Sequence, residues 1–157
     1  MPDAAASLAI RKSVTVGVPI ETAFRVFTEE IGSWWPLAAK SVGLEEAVDL
    51  TIEPRLGGRV YEQHRNGAEY DWGEILAWDP PCRLVFTWHP GRATETGQEV
   101  EVTFAAAGNG TRVELEHRGW ERLVGPGGEI PAHFESGWDE ALAGYVAATG
   151  AGARSGT

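Results

Sequence analysis

Four histidines, one cysteine and a scatter of carboxylates are the side chains of this 157-residue chain that could carry proton transfer or hold a metal. His117 is the strongest single candidate. It closes the run Val113, Leu115, His117, whose alternate positions share one strand face, and Val100, Val102 and Phe104 form the matching run across the Gly108-Asn109-Gly110 turn. An imidazole on that apolar side could orient a ligand hydroxyl or act as a base, although the commoner role for such a residue is a hydrogen-bonded wall histidine. Glu74 is the second candidate. If Trp72, Leu76 and Trp78 face inward, Glu74 lies between them and needs a partner such as Arg59, Arg112 or Arg118. His117 with Glu74 is therefore the one acid/base pair the sequence suggests, and a cyclase-like or hydrolase-like reaction is the chemistry it would serve.

Other chemistries find little support. His64, His89, His117 and His133 lack HxH or HExxH spacing, and Cys82 has no second cysteine to pair with, so neither a metal site nor a disulfide is expected. Nucleophile elbow, Walker loop and dinucleotide fingerprint are all missing, so no cofactor is expected; Gly57-Gly58 and Gly108-Asn109-Gly110 read as turns. What stands out is tryptophan, seven residues of it: Trp34, Trp35, Trp72, Trp78, Trp88, Trp120 and Trp138. Each can bury on the order of 200 Å², so core filling is their first expected role and an aromatic-walled cavity their second.

The elements that must position these residues follow from periodicity. Phe134, Trp138, Ala141 and Tyr145 recur at steps of four, three and four, one stripe of an α-helix that Leu142 and Val146 widen; Pro131 can open this helix and Gly150 close it. A second stripe of small residues, Gly137, Ala141, Gly144 and Ala148, runs beside the first. Either another backbone approaches closely there or a ligand does. Near the other end, Val14, Val16 and Val18 alternate as a strand up to Pro19. Ile20, Phe24, Phe27 and Ile31 then follow helical spacing that breaks near Thr28, giving two short helices, with Thr28 expected to cap the second. Val48, Leu50 and Ile52 begin a series of about six strands separated by tight links, among them the Asn66-Gly67 hairpin and the Asp79-Pro80-Pro81 break. Links that short require antiparallel pairing. The expected architecture is α+β: a curved antiparallel sheet of about seven strands, two short helices after the first strand, and a long C-terminal helix across the concave face. Such an arrangement tends to leave a cavity under the helix.

Composition bounds the rest. A hydrophobic content of 43% and a charged content of 23% suit one globular domain, placed at 8–149 with disordered tails at 1–7 and 150–157. A net charge of -10 and no basic cluster longer than Arg11-Lys12 argue against nucleic-acid binding. The opening MPDAAASLA has neither a basic start nor a long apolar run, so no membrane insertion is expected and a cytoplasmic location is. Arginine in excess of lysine, with abundant alanine and glycine, fits a GC-rich bacterial genome.

Several segments resemble the START-like, or helix-grip (SRPBCC), superfamily, in its branch related to the activator of the Hsp90 ATPase. They are VPIETAFRVFTEEIGSWW from Val18, EPRLGGRVY from Glu53, GEILAWDPPCRLVFTW from Gly73, TRVELEHRG from Thr111, and Gly137-Trp138 with the helix that follows. Together they span roughly Ile10 to Ala148. The resemblance implies a small apolar or aromatic ligand held between sheet and long helix, with Phe27, Trp34, Trp35, Trp72, Leu76, Trp88, Val102, Phe104, Leu115, His117, Phe134, Trp138, Ala141 and Tyr145 as the lining. Relatives of this fold bind lipids, hormones or polyketides, and some catalyse cyclisation. It admits a chaperone partner less readily, because the eukaryotic co-chaperones engage the chaperone with an additional domain for which 157 residues leave no room; a homodimer is open on the separate ground that small bacterial domains commonly form one.

Overall fold

The computed structural model describes residues 9–36, 44–88, 98–120 and 132–155, except for the side chains of 44, 132–134 and 150–155. Strand β1 (Ile10–Val16) leads into helices α1 (Ile20–Thr28) and α2 (Ile31–Trp34). After a 3-10 turn at Leu44–Glu46 come β2 (Ala47–Ile52), β3 (Arg59–His64), β4 (Glu69–Asp79), β5 (Arg83–Thr87), β6 (Glu99–Ala107) and β7 (Gly110–Arg118), then the long helix α3 (Ala132–Ser155). The seven strands form one sheet in the order β1-β7-β6-β5-β4-β3-β2, with every neighbouring pair antiparallel. It curls into a half-barrel with the helices against it, the α+β arrangement the periodicities imply.

Local chemistry explains the boundaries. The two short helices do meet at Thr28, but Thr28 ends the first rather than capping the second. Its hydroxyl donates back to the Phe24 carbonyl at 2.8 Å, and Glu30, without a side-chain cap, precedes α2. The β3–β4 hairpin turns at Gly67, whose φ of +90° lies in the region where glycine alone pays no steric penalty. At the other end, α3 continues past Gly150, where the glycine was expected to stop it, into the alanine-containing stretch up to Ser155.

Strand parity holds where the ladder is regular and breaks where it bulges. Val100, Val102 and Phe104 on β6 face the same interior as Val113, Leu115 and His117 on β7, all buried. On β2, Leu50 and Ile52 point in, but a register shift between Ala47 and Asp49 turns Val48 out to solvent. Strand β4 has two such shifts. Val60 opposes Gly73 while Tyr61 opposes Asp71, leaving Trp72 as the extra residue. Ile75 opposes Phe86 while Ala77 opposes Val85, leaving Leu76 as the extra residue. Trp72 and Trp78 therefore both reach the core, whereas Glu74, between the two bulges, and Leu76, in the second of them, face outward.

Helix α3 unites two aromatic groups. Tyr145 meets Phe27 and Trp34 at centroid separations of 5.1 and 5.2 Å, and its hydroxyl donates to the Ala23 carbonyl at 2.8 Å. Burial pushes the Tyr145 phenol further up from its usual range, so that hydroxyl is a permanent donor tying α3 to α1. Phe24 and Phe27 continue the group to Phe104 on β6. Two turns earlier on α3, Trp138 enters the second group, described below. The small stripe beside the aromatic one also finds its partner. A Cβ at Gly144 would stand 2.5 Å from the Trp34 carbonyl oxygen, so this glycine lets the end of α2 touch the α3 backbone.

Candidate functional site

Tryptophans from four separate stretches of the chain converge in the interior. Trp35 follows α2, Trp72 lies on β4, Trp88 follows β5 and Trp138 lies on α3. Trp35 is 5.3 Å from Trp72, 6.1 Å from Trp88 and 5.5 Å from Trp138; Trp88 is 5.3 Å from Trp72 and 5.2 Å from Trp138. Most of these contacts are edge to face. That geometry suits the negative ring face and positive ring edge.

Two polar networks bracket the cluster, one at each side. The first centres on His117, which is fully buried on β7. Trp138 donates its indole N–H to His117 Nδ1 at 3.0 Å, so the ring proton resides on Nε2, which donates to Gln98 Oε1 at 2.7 Å. Trp120 donates to the His117 carbonyl at 3.1 Å. Burial drives the imidazole down to about 3. Neutral, and engaged at both nitrogens, His117 anchors Trp138 and Gln98, the wall role rather than that of a base.

The second network was not foreseen. Val60, Glu62 and His64 alternate along the inward face of β3, and Glu62 is fully buried. Trp72 donates its indole N–H to Glu62 Oε1 at 2.7 Å, while Glu62 Oε2 lies 2.5 Å from His64 Nε2. The His64 side chain is 9% exposed, and its ring stacks on Tyr70 at 4.5 Å. Trp72 and His64 thus bring an indole and an imidazole onto one buried carboxylate directly beside the tryptophans.

The acid/base pair expected from the sequence is not assembled. Glu74 is exposed, and its backbone N–H is bonded to Thr87 Oγ1. Its three suggested partners are committed elsewhere: Arg59 to Asp71 and Glu69, Arg112 to Glu114, Arg118 to Glu99 and Glu101. Leu76, at 43% exposure, is likewise no lining residue. Both errors come from the β4 bulges. Of the remaining expected lining, Phe27, Trp34, Trp35, Trp72, Val102, Phe104, Leu115, His117, Trp138, Ala141 and Tyr145 are buried, and Trp88 is partly so. Phe134 lies in α3, but its side chain is outside the described residues. Glu62 and His64 were missed although the signal was present. Val60 fixes the phase of β3, and residues two and four further on must share its face.

Among the described residues, no group of three His, Cys, Asp or Glu side chains could hold a metal ion, and no helix is long and apolar enough to cross a membrane.

The family model described as "Activator of Hsp90 ATPase homolog 1-like protein" matches residues 17–148. The chain belongs to this family. Its fold recurs in the solution structure of the Aha1 dimer from Colwellia psychrerythraea, with 17% identity, a TM-score of 0.65, and coverage of 90% of this chain and 95% of that one. A Chromobacterium violaceum protein gives 19% identity, a TM-score of 0.63, and coverage of 90% and 96%. The anthrahydroquino-γ-pyrone synthase Txn09, solved as a complex, is much nearer in sequence: 36% identity over 85% of this chain and 86% of that one, with a TM-score of 0.54. No curated protein sequence matches significantly.

Proposed function

We propose that this protein binds a flat aromatic molecule of the polyketide type against the tryptophan cluster, between the sheet and α3, and closes an oxygen-containing ring in it. The observation that carries the reading is the cluster itself: Trp35, Trp72, Trp88 and Trp138, from four separate stretches of the chain, flanked by the buried polar groups of His117 and Glu62. Apolar faces with a few convergent polar groups suit a planar, partly oxygenated ligand. Identity of 36% with an anthrahydroquino-γ-pyrone synthase supports ring closure as the reaction, since that name specifies an aromatic product that carries an oxygen heterocycle. A planar ring system also loses less conformational freedom on binding than a flexible lipid does.

Hydroxyanthraquinones and related phenolic polyketides are the direct test. Titration should quench the intrinsic tryptophan emission, and ligand at about a hundred times its Kd should stabilise the fold by about 2.7 kcal/mol in thermal unfolding. A panel in which no aromatic polyketide alters either signal would overturn the reading; a response to fatty acids alone would redirect it to lipid binding.

A further inference from the structure

The buried pair on β3 has the arrangement of a base and its positioning group. Glu62 can only accept as a carboxylate, so the contact between its Oε2 and His64 Nε2 places the ring proton on Nε2. His64 Nδ1 is left with a free lone pair, and among the described residues no side chain bonds it, although the ring is nine-tenths buried. On one side the ring is held by Glu62, which Trp72 fixes in turn; on another it is held by the stack with Tyr70. Trp72 is also a member of the cluster, in contact with Trp35 and Trp88, so it ties the pair to the surface on which the ligand is proposed to lie.

We infer that His64 Nδ1 takes the proton from a phenolic hydroxyl of the bound substrate, with Glu62 as the positioning residue that orients the imidazole and balances its charge. The inference rests on the ring-closing reading above and names its substrate class: an aromatic phenol with a 1,3-diketone side chain in the ortho position, whose distal carbonyl is the one attacked. As the phenolic proton moves to Nδ1, the oxygen forms a bond to the side-chain carbonyl carbon. The carbonyl π pair moves onto its own oxygen, which takes the proton back from the imidazolium. The result is a cyclic hemiketal isomeric with the substrate, so no oxidant, reductant or other co-reactant is needed. Loss of one water from it gives the pyrone. Carboxylate-backed imidazoles owe their effect to orientation and to charge balance in the transition state, and general bases of this kind contribute about 10²- to 10⁴-fold in rate.

The probe is an anthraquinone carrying a phenol ortho to a 1,3-diketone side chain, followed by the absorbance change on ring closure. The wild-type protein should bind it, read by tryptophan quenching, and accelerate closure. His64→Ala should bind with unchanged Kd and lose about 10²-fold or more in kcat, with partial recovery on addition of imidazole. Glu62→Gln should lose kcat in the same direction, by less. If His64→Ala does not fold, His64→Gln carries the same expectation of unchanged Kd and lost kcat. Binding and closure at wild-type rate in these variants would overturn the role of His64 and leave the ring-closing reading standing. Binding without any acceleration by the wild-type protein would overturn the catalytic assignment and leave a binding protein, and absence of binding would remove both.

Discussion

Replacing His117 by glutamine should flatten the acid limb of the stability curve. Burial holds this imidazole down to about 3 in the folded chain, against an ordinary value of 6.5. As the pH falls through about 6.5 the unfolded chain takes up a proton at His117, and the folded chain does not follow until about 3. The stability contributed by the neutral ring is therefore complete above this window and declines below it, by up to about 1.4 kcal/mol per pH unit. At about pH 5 the loss is roughly 2 kcal/mol, and over the whole window roughly 5 kcal/mol. Glutamine can still accept from Trp138 but binds no proton in this range. It should be less stable than wild type at pH 7, because the imidazole shape and one of its bonds are lost. The gap should then narrow by about 2 kcal/mol by about pH 5. Urea unfolding of both proteins at matched pH values gives the difference directly. Carboxylates contribute to both melts and cancel in the subtraction. Glu101 is one of these: burial pushes its carboxyl up, and hydrogen bonds from Arg83 and Arg118 bring it below its usual value overall. A wild-type-minus-variant gap that stays constant between about pH 7 and pH 4 would refute a buried neutral His117.

Two substitutions probe the packing around the site. Gly144→Val should destabilise the fold by about 1–3 kcal/mol in thermal unfolding, because the added Cβ meets the Trp34 carbonyl, and it should leave ligand affinity in the folded fraction intact. A stable variant with weakened binding would instead put the small stripe against the ligand. Leu76→Ser, on the outward side of β4, should change stability by no more than about 0.5 kcal/mol and leave quenching titrations unaltered; a loss of affinity would restore Leu76 to the lining.

The sequence-level reading succeeded wherever one period ran unbroken. The alternation of Val100, Val102, Phe104 and of Val113, Leu115, His117 is carried by nine-residue strands paired without a shift, so parity alone put His117 inside. The stripe Trp138, Ala141, Tyr145 was legible for the same reason, since a helix cannot slip its phase without a break. Bulges defeat this logic because one added residue inverts every later position, and nothing in the residue types around Trp72 or Leu76 announces the insertion. Trp72, Glu74, Leu76 and Trp78 look like one inward row, yet only the two ends of that row are inside.

The buried polar residues divide differently. His117 was singled out because it is a polar residue in an apolar row, and the structure gives it two hydrogen-bond partners and the task of holding Trp138. Glu62 and His64 were passed over because their strand looked ordinary: Arg59, Val60, Tyr61, Glu62, Gln63 and His64 contain a single aliphatic residue, too few to mark a buried face by hydrophobicity. The face is buried all the same, since Trp72 from the neighbouring strand supplies a donor for Glu62 and Tyr70 covers His64. A polar pair is tolerated in an interior only where its partners arrive from elsewhere in the fold, and those partners are separated from it by a hairpin and a bulge. The residues with the most unusual environment are thus the ones a linear pattern is least able to flag. What could have found them is the phase set by Val60, combined with the expectation that an inward carboxylate two residues before an inward histidine will bond it.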